Sequence, residues 1–380
     1  MELQGIKVLI VEDDPVFRQL IGDYCRQQRM TVFEAEDGQH GLEAFERHRP
    51  DLVLVDLSMP RMDGQELLTR LVALDPELPS IVITANKAMS EVVLALRNGA
   101  WDYLMKPLSD FTLLKTAMLN CLEESGHIEP VAAEEPEPDK PEPALAMRDN
   151  FDLLQEDVQT ATLVQAQLFP EPQTFWQSGR FDYAIFKAEP VSDLICDGFA
   201  CGPDHYCTYL GKMHPGENSS AFLNVVIRSF FNQKRKRCEH SGSTTILTPF
   251  AMLSYLNEQL IKSELGCELE MVFVVLSRST GRVALARCGS GIRAYLRTAA
   301  MDEAAPMDLL SPIMIPNAPP IGVEHEVQPA CHFRNLGPGQ SLVLFEGDAE
   351  IRHDLLSDRF GGLQQGERPG GYLQLTPPSV

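Results

Sequence analysis

The run Lys7-Val8-Leu9-Ile10-Val11-Glu12-Asp13 decides the fold of the first third of this chain. An unbroken apolar stretch of this length reads as a strand buried on both faces, as in a parallel sheet. It ends abruptly in two carboxylates. In parallel α/β sheets, sites gather at the carboxyl ends of the strands, so the abrupt change marks an edge where chemistry is done.

The same alternation continues outward from this strand. Val16, Leu20, Ile21 and Tyr24 recur at helical spacing. Thr31 to Ala35 is a short strand, and Gly41, Leu42 and Phe45 lie in a second helix. Leu52 to Val55, Ile81 to Ile83 and Trp101 to Met105 read as further strands. Gln65 to Leu74, Met89 to Arg97 and Asp110 to Glu124 read as helices. Five βα units within residues 1–124 predict a doubly wound α/β domain with a five-stranded parallel sheet.

Five chemically loaded side chains fall at the ends of these strands: Glu12 and Asp13 after the first, Asp56 after the third, Thr84 at the fourth and Lys106 after the fifth. Three carboxylates suit one Mg²⁺, a hard cation that prefers oxygen ligands and keeps some of its waters. Mg²⁺ and the Lys106 ammonium together neutralise an incoming phosphoryl group. Asp56 is then the nucleophile that forms an acyl phosphate. The Thr84 hydroxyl follows the new oxygens and Tyr103 turns inward behind it, a local charge event with a two-state readout.

The segments Val11-Glu12-Asp13-Asp14, Asp56-Leu57-Ser58-Met59-Pro60, Thr84-Ala85 and Lys106-Pro107 resemble bacterial response-regulator receivers of flavodoxin-like fold. The resemblance covers residues 1–124. It implies Asp56 as phospho-acceptor, Mg²⁺ held by Glu12, Asp13, Asp56 and the Ser58 backbone, and phosphotransfer from a histidine kinase or a small phosphodonor in a two-component system.

Residues 125–149, including Glu134-Glu135-Pro136-Glu137-Pro138, are rich in Pro and Glu with little to bury, and read as an extended acidic linker. Helical periodicity resumes at Phe151 to Leu168, so residues 150–170 read as a connecting helix stopped by Pro170. Residues 171–380 mix strands (Phe181 to Phe186, Tyr206 to Leu210, Met271 to Leu276, Arg282 to Cys288, Ser341 to Phe345) with helices near Ser220 to Asn232 and Pro249 to Lys262. This predicts an α+β domain around antiparallel strands. From Gly361 on, Gly, Pro and Gln dominate, and the expectation is poor order apart from a short final strand.

This second part resembles metal-dependent Ser/Thr phosphatases of the PPM class, SpoIIE-like branch. Gln165-Ala166-Gln167-Leu168-Phe169-Pro170 is similar to the helix leading into that domain. Pro190 to Phe199, Gly211 to Phe222, Thr280 to Gly291, Pro320-Ile321-Gly322-Val323 and Leu342 to Glu350 resemble its later segments in order. The metal carboxylates do not carry over. Asp197 falls on the first metal position, but Ala200, Lys212, Glu346, Gly370 and Gly371 stand at the others. Two cations about 4 Å apart need several bridging carboxylates, which this set does not supply. The resemblance implies a phosphatase fold without a metal centre, used for binding.

A receiver followed by such a domain resembles the RssB-type adaptors, which deliver the stationary-phase sigma factor σS to the ClpXP protease. The linker departs from that pattern, and a tether of this kind acts through effective concentration. Two other readings stand beside it: a receiver-controlled Ser/Thr phosphatase in a sigma-factor partner-switching circuit, and a scaffold for another regulator.

Composition adds exclusions. A net charge of −22 argues against nucleic-acid binding. No run of about 18 apolar residues predicts a membrane helix, and the acidic N-terminus is no signal peptide, so the expected location is cytoplasmic. Nine cysteines, mostly in strand-like runs, read as buried thiols. Cys196, Cys201, His205 and Cys207 fit zinc spacing poorly and read as core. Lys234-Arg235-Lys236-Arg237 reads as charge compensation following a helix that ends near Phe231, or as a site for an acidic partner.

Overall fold

A computed structural model describes residues 3–84, 94–95, 98–106, 108, 111–128, 158–176, 179–214, 219–263, 266–299 and 309–377. The chain divides into two compact units, Met1–Asn150 and Phe151–Val380. Most of the expected linker, the expected fourth helix of the first unit apart from Leu94 and Ala95, and the start of the connecting helix lie outside the described residues. Among the described residues, no helix is long and apolar enough to cross a membrane.

In the first unit, β1 (Lys7–Val11), β2 (Thr31–Ala35), β3 (Leu52–Val55), β4 (Ser80–Thr84) and β5 (Asp102–Met105) form one sheet in the order β2-β1-β3-β4-β5. All pairings are parallel. The order reverses at β1, so a crevice opens past the carboxyl ends of β1 and β3. Three of the helices start cleanly because an Asp caps each of them. Asp14 accepts from the Val16 N–H at 2.8 Å, Asp37 from that of His40 at 2.8 Å and Asp63 from that of Glu66 at 2.8 Å. Gly64 begins the helix Gly64–Leu74 against the end of β3, where a Cβ would lie 2.2 Å from the Asp56 carbonyl oxygen. Only glycine permits that approach, which packs this helix under the site. Val8, Ile10, Leu52, Leu54, Ile81 and Ile83 form the core with the helix Phe111–Glu124.

The second unit contains two sheets face to face. One has the antiparallel order β14-β11-β10-β9-β8, built from β8 (Leu194–Cys201), β9 (His205–His214), β10 (Glu268–Ser277), β11 (Arg282–Cys288) and β14 (Ala330–Asn335). The other has the order β13-β12-β15-β17-β7-β16, with β6 (Gln173–Trp176) also on β7. Its members are β7 (Gly179–Lys187), β12 (Arg293–Thr298), β13 (Leu309–Ile313), β15 (Gln340–Glu346), β16 (Gly362–Gln365) and β17 (Gly370–Thr376). Leu194, Leu210 and Val274 of the first sheet meet Leu296, Leu344 and Leu373 of the second in one core. Helices Ser219–Ser241 and Pro249–Lys262 cover the outer face of the first sheet, and helix Ala349–Leu356 covers that of the second. The antiparallel core foreseen from the sequence is thus a helix–sheet–sheet–helix sandwich, mixed only where β16 runs parallel to β7.

Two expectations need correction, and the role of the connecting helix is sharpened. The stretch after Gly361 carries β16, paired with β7, as well as the expected final strand: β17 sits between β15 and β7, with Tyr372, Leu373 and Leu375 fully buried. Burial on both sides overrides its weak local propensity. The basic run Lys234–Arg237 lies inside a helix that continues to Ser241, since Lys and Arg are good helix formers whose stems pack along the surface. The helix Val158–Leu168 belongs to the second unit and packs on helix Ser219–Ser241. Gln165 fixes it there: its side chain donates to the Ser192 carbonyl and accepts from the Ser192 N–H, both at 2.7 Å and both buried. Seven cysteines are buried as expected, Cys238 is half-buried and Cys331 is exposed.

Candidate functional site

The β1 and β3 ladders place the acidic groups of the first unit. The Glu12 N–H donates to the Ala35 carbonyl at 3.0 Å and that of Asp56 to the Val11 carbonyl at 2.9 Å. Sheet bonding thus continues one residue past each strand and aims both carboxylates into the crevice, where both are buried. Asp13 is exposed beside them. Ligand oxygens of Glu12, Asp13 and Asp56 all lie within 4.8 Å of one another.

Lys106 enters from the end of β5, its N–H bonded to the Thr84 carbonyl at 2.9 Å. Its ammonium reaches Glu12 at 2.7 and 2.8 Å and Asp56 Oδ2 at 2.7 Å. The other Asp56 oxygen accepts from the Ser58 N–H at 3.2 Å. Thr84 is fully buried at the end of β4, and Tyr103 sits on β5 opposite Val82. The structure therefore brings together Glu12, Asp13, Asp56, Ser58, Thr84 and Lys106, with Tyr103 on the adjoining strand.

Two neighbours were not singled out in the sequence. The Phe17 ring lies under the Lys106 ammonium, 4.5 Å away. Arg18 donates to the Glu12 carbonyl at 2.5 Å. Their signal was present: the helix Pro15–Gln27 begins directly after the acidic loop, so its first turn must border the crevice.

Burial, with repulsion from Asp56, pushes the Glu12 carboxyl up to about 7 even though Lys106 pulls the other way. Burial opposes the Lys106 charge, but Asp56 and Glu12 outweigh it and raise the ammonium. Three carboxylates facing one ammonium leave an excess of negative charge on hard oxygen ligands. That donor set fits a divalent cation such as Mg²⁺.

The second unit treats its charges differently. Residues alternate sides along a strand, and the packing of β8 and β9 shows which side is which. Leu194, Cys196 and Leu210 point between the sheets, whereas Ile195, Cys201, Cys207 and Tyr209 point toward the helices. Lys212 therefore faces the inter-sheet side, where its ammonium meets Glu346 Oε1 at 2.7 Å and Asp193 at 3.9 Å. Asp197 faces the helices. Arg228 of helix Ser219–Ser241 pairs with it at 3.3 Å, and its other oxygen accepts from the Gly198 N–H at 2.9 Å.

Asp197 and Lys212 thus lie on opposite faces of one sheet, so these two of the expected metal positions do not converge. Ala200 adds no ligand. At Gly371, a Cβ would lie 2.8 Å from the Ala184 carbonyl oxygen and 2.9 Å from Ile185, so a carboxylate there needs a backbone shift. Gly370 begins the same strand, paired with Phe186. Asp193 and Arg228 were missed by the sequence reading. The signal for Arg228 was a lone cation inside the apolar run Val225-Val226-Ile227-Arg228-Ser229-Phe230-Phe231.

Residues 8–118 match the family model for the response regulator receiver domain. The chain is 29% identical over 230 residues to the Regulator of RpoS from Escherichia coli (strain K12), covering 60% of this chain and 65% of that protein. The aligned length exceeds the whole first unit, so the similarity reaches into the second. The transcriptional regulatory protein GlrR of the same organism is 35% identical over 118 residues, covering 31% of this chain and 26% of that protein. A receiver domain structure from Clostridium thermocellum is 25% identical and covers 32% of this chain and 98% of that one, with a TM-score of 0.31. The crevice lined by Glu12, Asp13, Asp56 and Lys106 accordingly lies in a response regulator receiver domain, in a chain similar to the Regulator of RpoS over 60% of its length.

Proposed function

We propose that this chain is a cytoplasmic, phosphorylation-controlled adaptor: phosphoryl transfer to Asp56 governs binding of a σS-like sigma factor by the second unit, for delivery to a ClpXP-type protease. The observation that carries the reading is an assembled acid pocket joined to a second unit within reach of the same relative's similarity. The donor is a histidine kinase or a small acyl phosphate.

In the receiver, Mg²⁺ would be held by Glu12, Asp13, Asp56 and the Ser58 backbone, where it offsets charge on the transferring group. Asp56 Oδ2 attacks while Lys106 holds it in place and screens the developing charge. Thr84 and Tyr103 then register the new phosphoryl group. In the second unit, the pairing of Lys212 with Glu346 and of Arg228 with Asp197 supports binding in place of metal-dependent hydrolysis. Among the described residues, groups of three convergent metal-ligating side chains occur in the first unit and not in the second.

The test is the affinity of the purified chain for σS with and without beryllofluoride and Mg²⁺, repeated with Asp56→Ala. Tighter binding with the mimic, absent in the variant, is the expected result. Equal affinity in all conditions overturns the control by Asp56. Phosphopeptide hydrolysis with Mn²⁺ that disappears in Asp197→Ala overturns the non-catalytic reading of the second unit.

A further inference from the structure

The cysteines that read as ordinary core in the sequence are not evenly spread. Cys201, at the end of β8, and Cys207, on β9, both point to the helix-covered face of their sheet. Cys201 pairs with His205, which sets Cys207 two residues further along the neighbouring strand on the same face. Cys238 comes down onto them from helix Ser219–Ser241. Cys207 and Cys238 are both close enough to the Cys201 thiol to act on it. Cys201 and Cys207 are buried, whereas Cys238 is half-exposed, so the cluster is open to solvent on the helix side.

The basic run gives this cluster its charge. Arg235 lies one turn before Cys238, and its guanidinium sits over the Phe199 ring at 5.8 Å, beside the thiols. Reactive cysteines occupy partly exposed, electropositive surroundings of this kind, where the thiolate is favoured. The Cys207 thiol holds the Cys201 thiol below its ordinary value against the opposing effect of burial, with Cys238 and Arg235 adding to the lowering and Glu239 opposing it. Burial and the same contact push Cys238 up to about 12, so it remains the protonated partner.

We infer that Cys201 and Cys238 form an oxidative modification site, in which a small hydroperoxide converts the pair to a disulfide joining the end of β8 to helix Ser219–Ser241. The Cys201 thiolate attacks the peroxide. An S–O bond forms, the O–O bond breaks, and the alcohol or water leaves after taking a proton. The Cys238 sulfur then attacks the Cys201 sulfenic acid: the S–S bond forms, the S–O bond breaks, and the Cys238 thiol proton joins the departing hydroxide, which leaves as water. The pair loses two electrons and the peroxide gains them. Cys238 is the resolving thiol because oxidant and water reach the cluster on its side, whereas Cys207 is enclosed between strand and helix. The bridge would fix the helix that carries Arg228 to the strand that carries Asp197.

The experiment treats the full-length chain with hydrogen peroxide under native conditions, then unfolds it in denaturant to block all free thiols with iodoacetamide, and maps peptides without reduction. The expected result is loss of two alkylatable thiols of the nine and a linked peptide pair containing Cys201 and Cys238, reversed by dithiothreitol. Cys201→Ser should abolish the link. Cys238→Ser should leave a Cys201 sulfenic acid that dimedone traps. Far-ultraviolet circular dichroism unchanged by either variant excludes misfolding as the cause. Oxidation confined to the exposed Cys331, a Cys201–Cys207 bridge in the unmodified sequence, or nine alkylatable thiols after treatment overturns the inference.

Discussion

Each unit holds a lysine against carboxylates, and the two arrangements differ in what they leave over. In the receiver, Lys106 lies between Glu12 and Asp56, and Asp13 adds a third carboxylate within 4.8 Å. Negative charge is in excess, a donor set suited to a divalent cation. In the second unit, Lys212 takes Glu346 directly, with Asp193 more distant, and Arg228 takes Asp197 on the other face of the sheet. There the nearest carboxylates, Glu346 and Asp197, are each paired with a cation of the protein. A site that answers a phosphoryl group must keep an imbalance, whereas a surface that only binds can close it.

The severest test of this contrast is Asp56→Asn. The substitution keeps the shape of the side chain and removes the nucleophile. Incorporation of phosphoryl from acetyl phosphate, read by intact mass, should be lost completely. Incorporation that persists would place the acceptor elsewhere and break the contrast at its active half.

The matched site rests on ordinary buried bonds, and Gln165→Leu measures one of them. The variant leaves the Ser192 N–H and carbonyl buried without their partner, which should cost about 2–3 kcal/mol. The chain has two tryptophans, Trp101 in the first unit and Trp176 in the second. In a Trp101→Phe background, urea unfolding followed by fluorescence therefore reports on the second unit. A midpoint unchanged from the parent would mean that the helix Val158–Leu168 is not an integral part of that unit.

The same substitution in both sites sharpens the comparison further. Lys106→Met and Lys212→Met each strip the ammonium from partly buried carboxylates, and each should cost about 1–2 kcal/mol. Mg²⁺ should restore much of the loss in the receiver, where three carboxylates converge, and little in the second unit. Equal rescue of both variants in thermal unfolding would show that the second site also retains cation-binding geometry.

These differences were unequally legible in the sequence. Glu12, Asp56 and Lys106 each end a buried parallel strand, and all such ends lie along one sheet edge. Chain order alone therefore brought them together. In the antiparallel sandwich, the side on which Asp197 falls depends on strand phase, which a run as evenly apolar as Leu194-Ile195-Cys196 leaves open. The final strand was expected, but its central place was hidden for a related reason: it comes from β15 and β7 on either side, contacts distant in sequence. Lys234–Arg237 looked like punctuation because its anchor lies elsewhere in the chain, as with Lys234 over the Tyr255 ring at 3.8 Å.

The smallest expected effect probes the imbalance itself. The Glu12 carboxyl, raised by burial from its ordinary 4.5 to about 7, keeps a proton in the folded, metal-free protein that the unfolded chain gives up. Its contribution to stability is therefore fully present below about 4.5 and is lost as pH rises through about 7. Between pH 6 and 7 the metal-free receiver should lose on the order of 1 kcal/mol. Unfolding in a Trp176→Phe background, where Trp101 alone reports, measures this. Mg²⁺ competes with the same proton, so its stabilisation of the receiver should grow as pH rises over that interval. In Glu12→Gln the metal-free pH trend should flatten. A trend that survives the substitution would assign the proton to another group, and the excess charge of the pocket would then have a different holder.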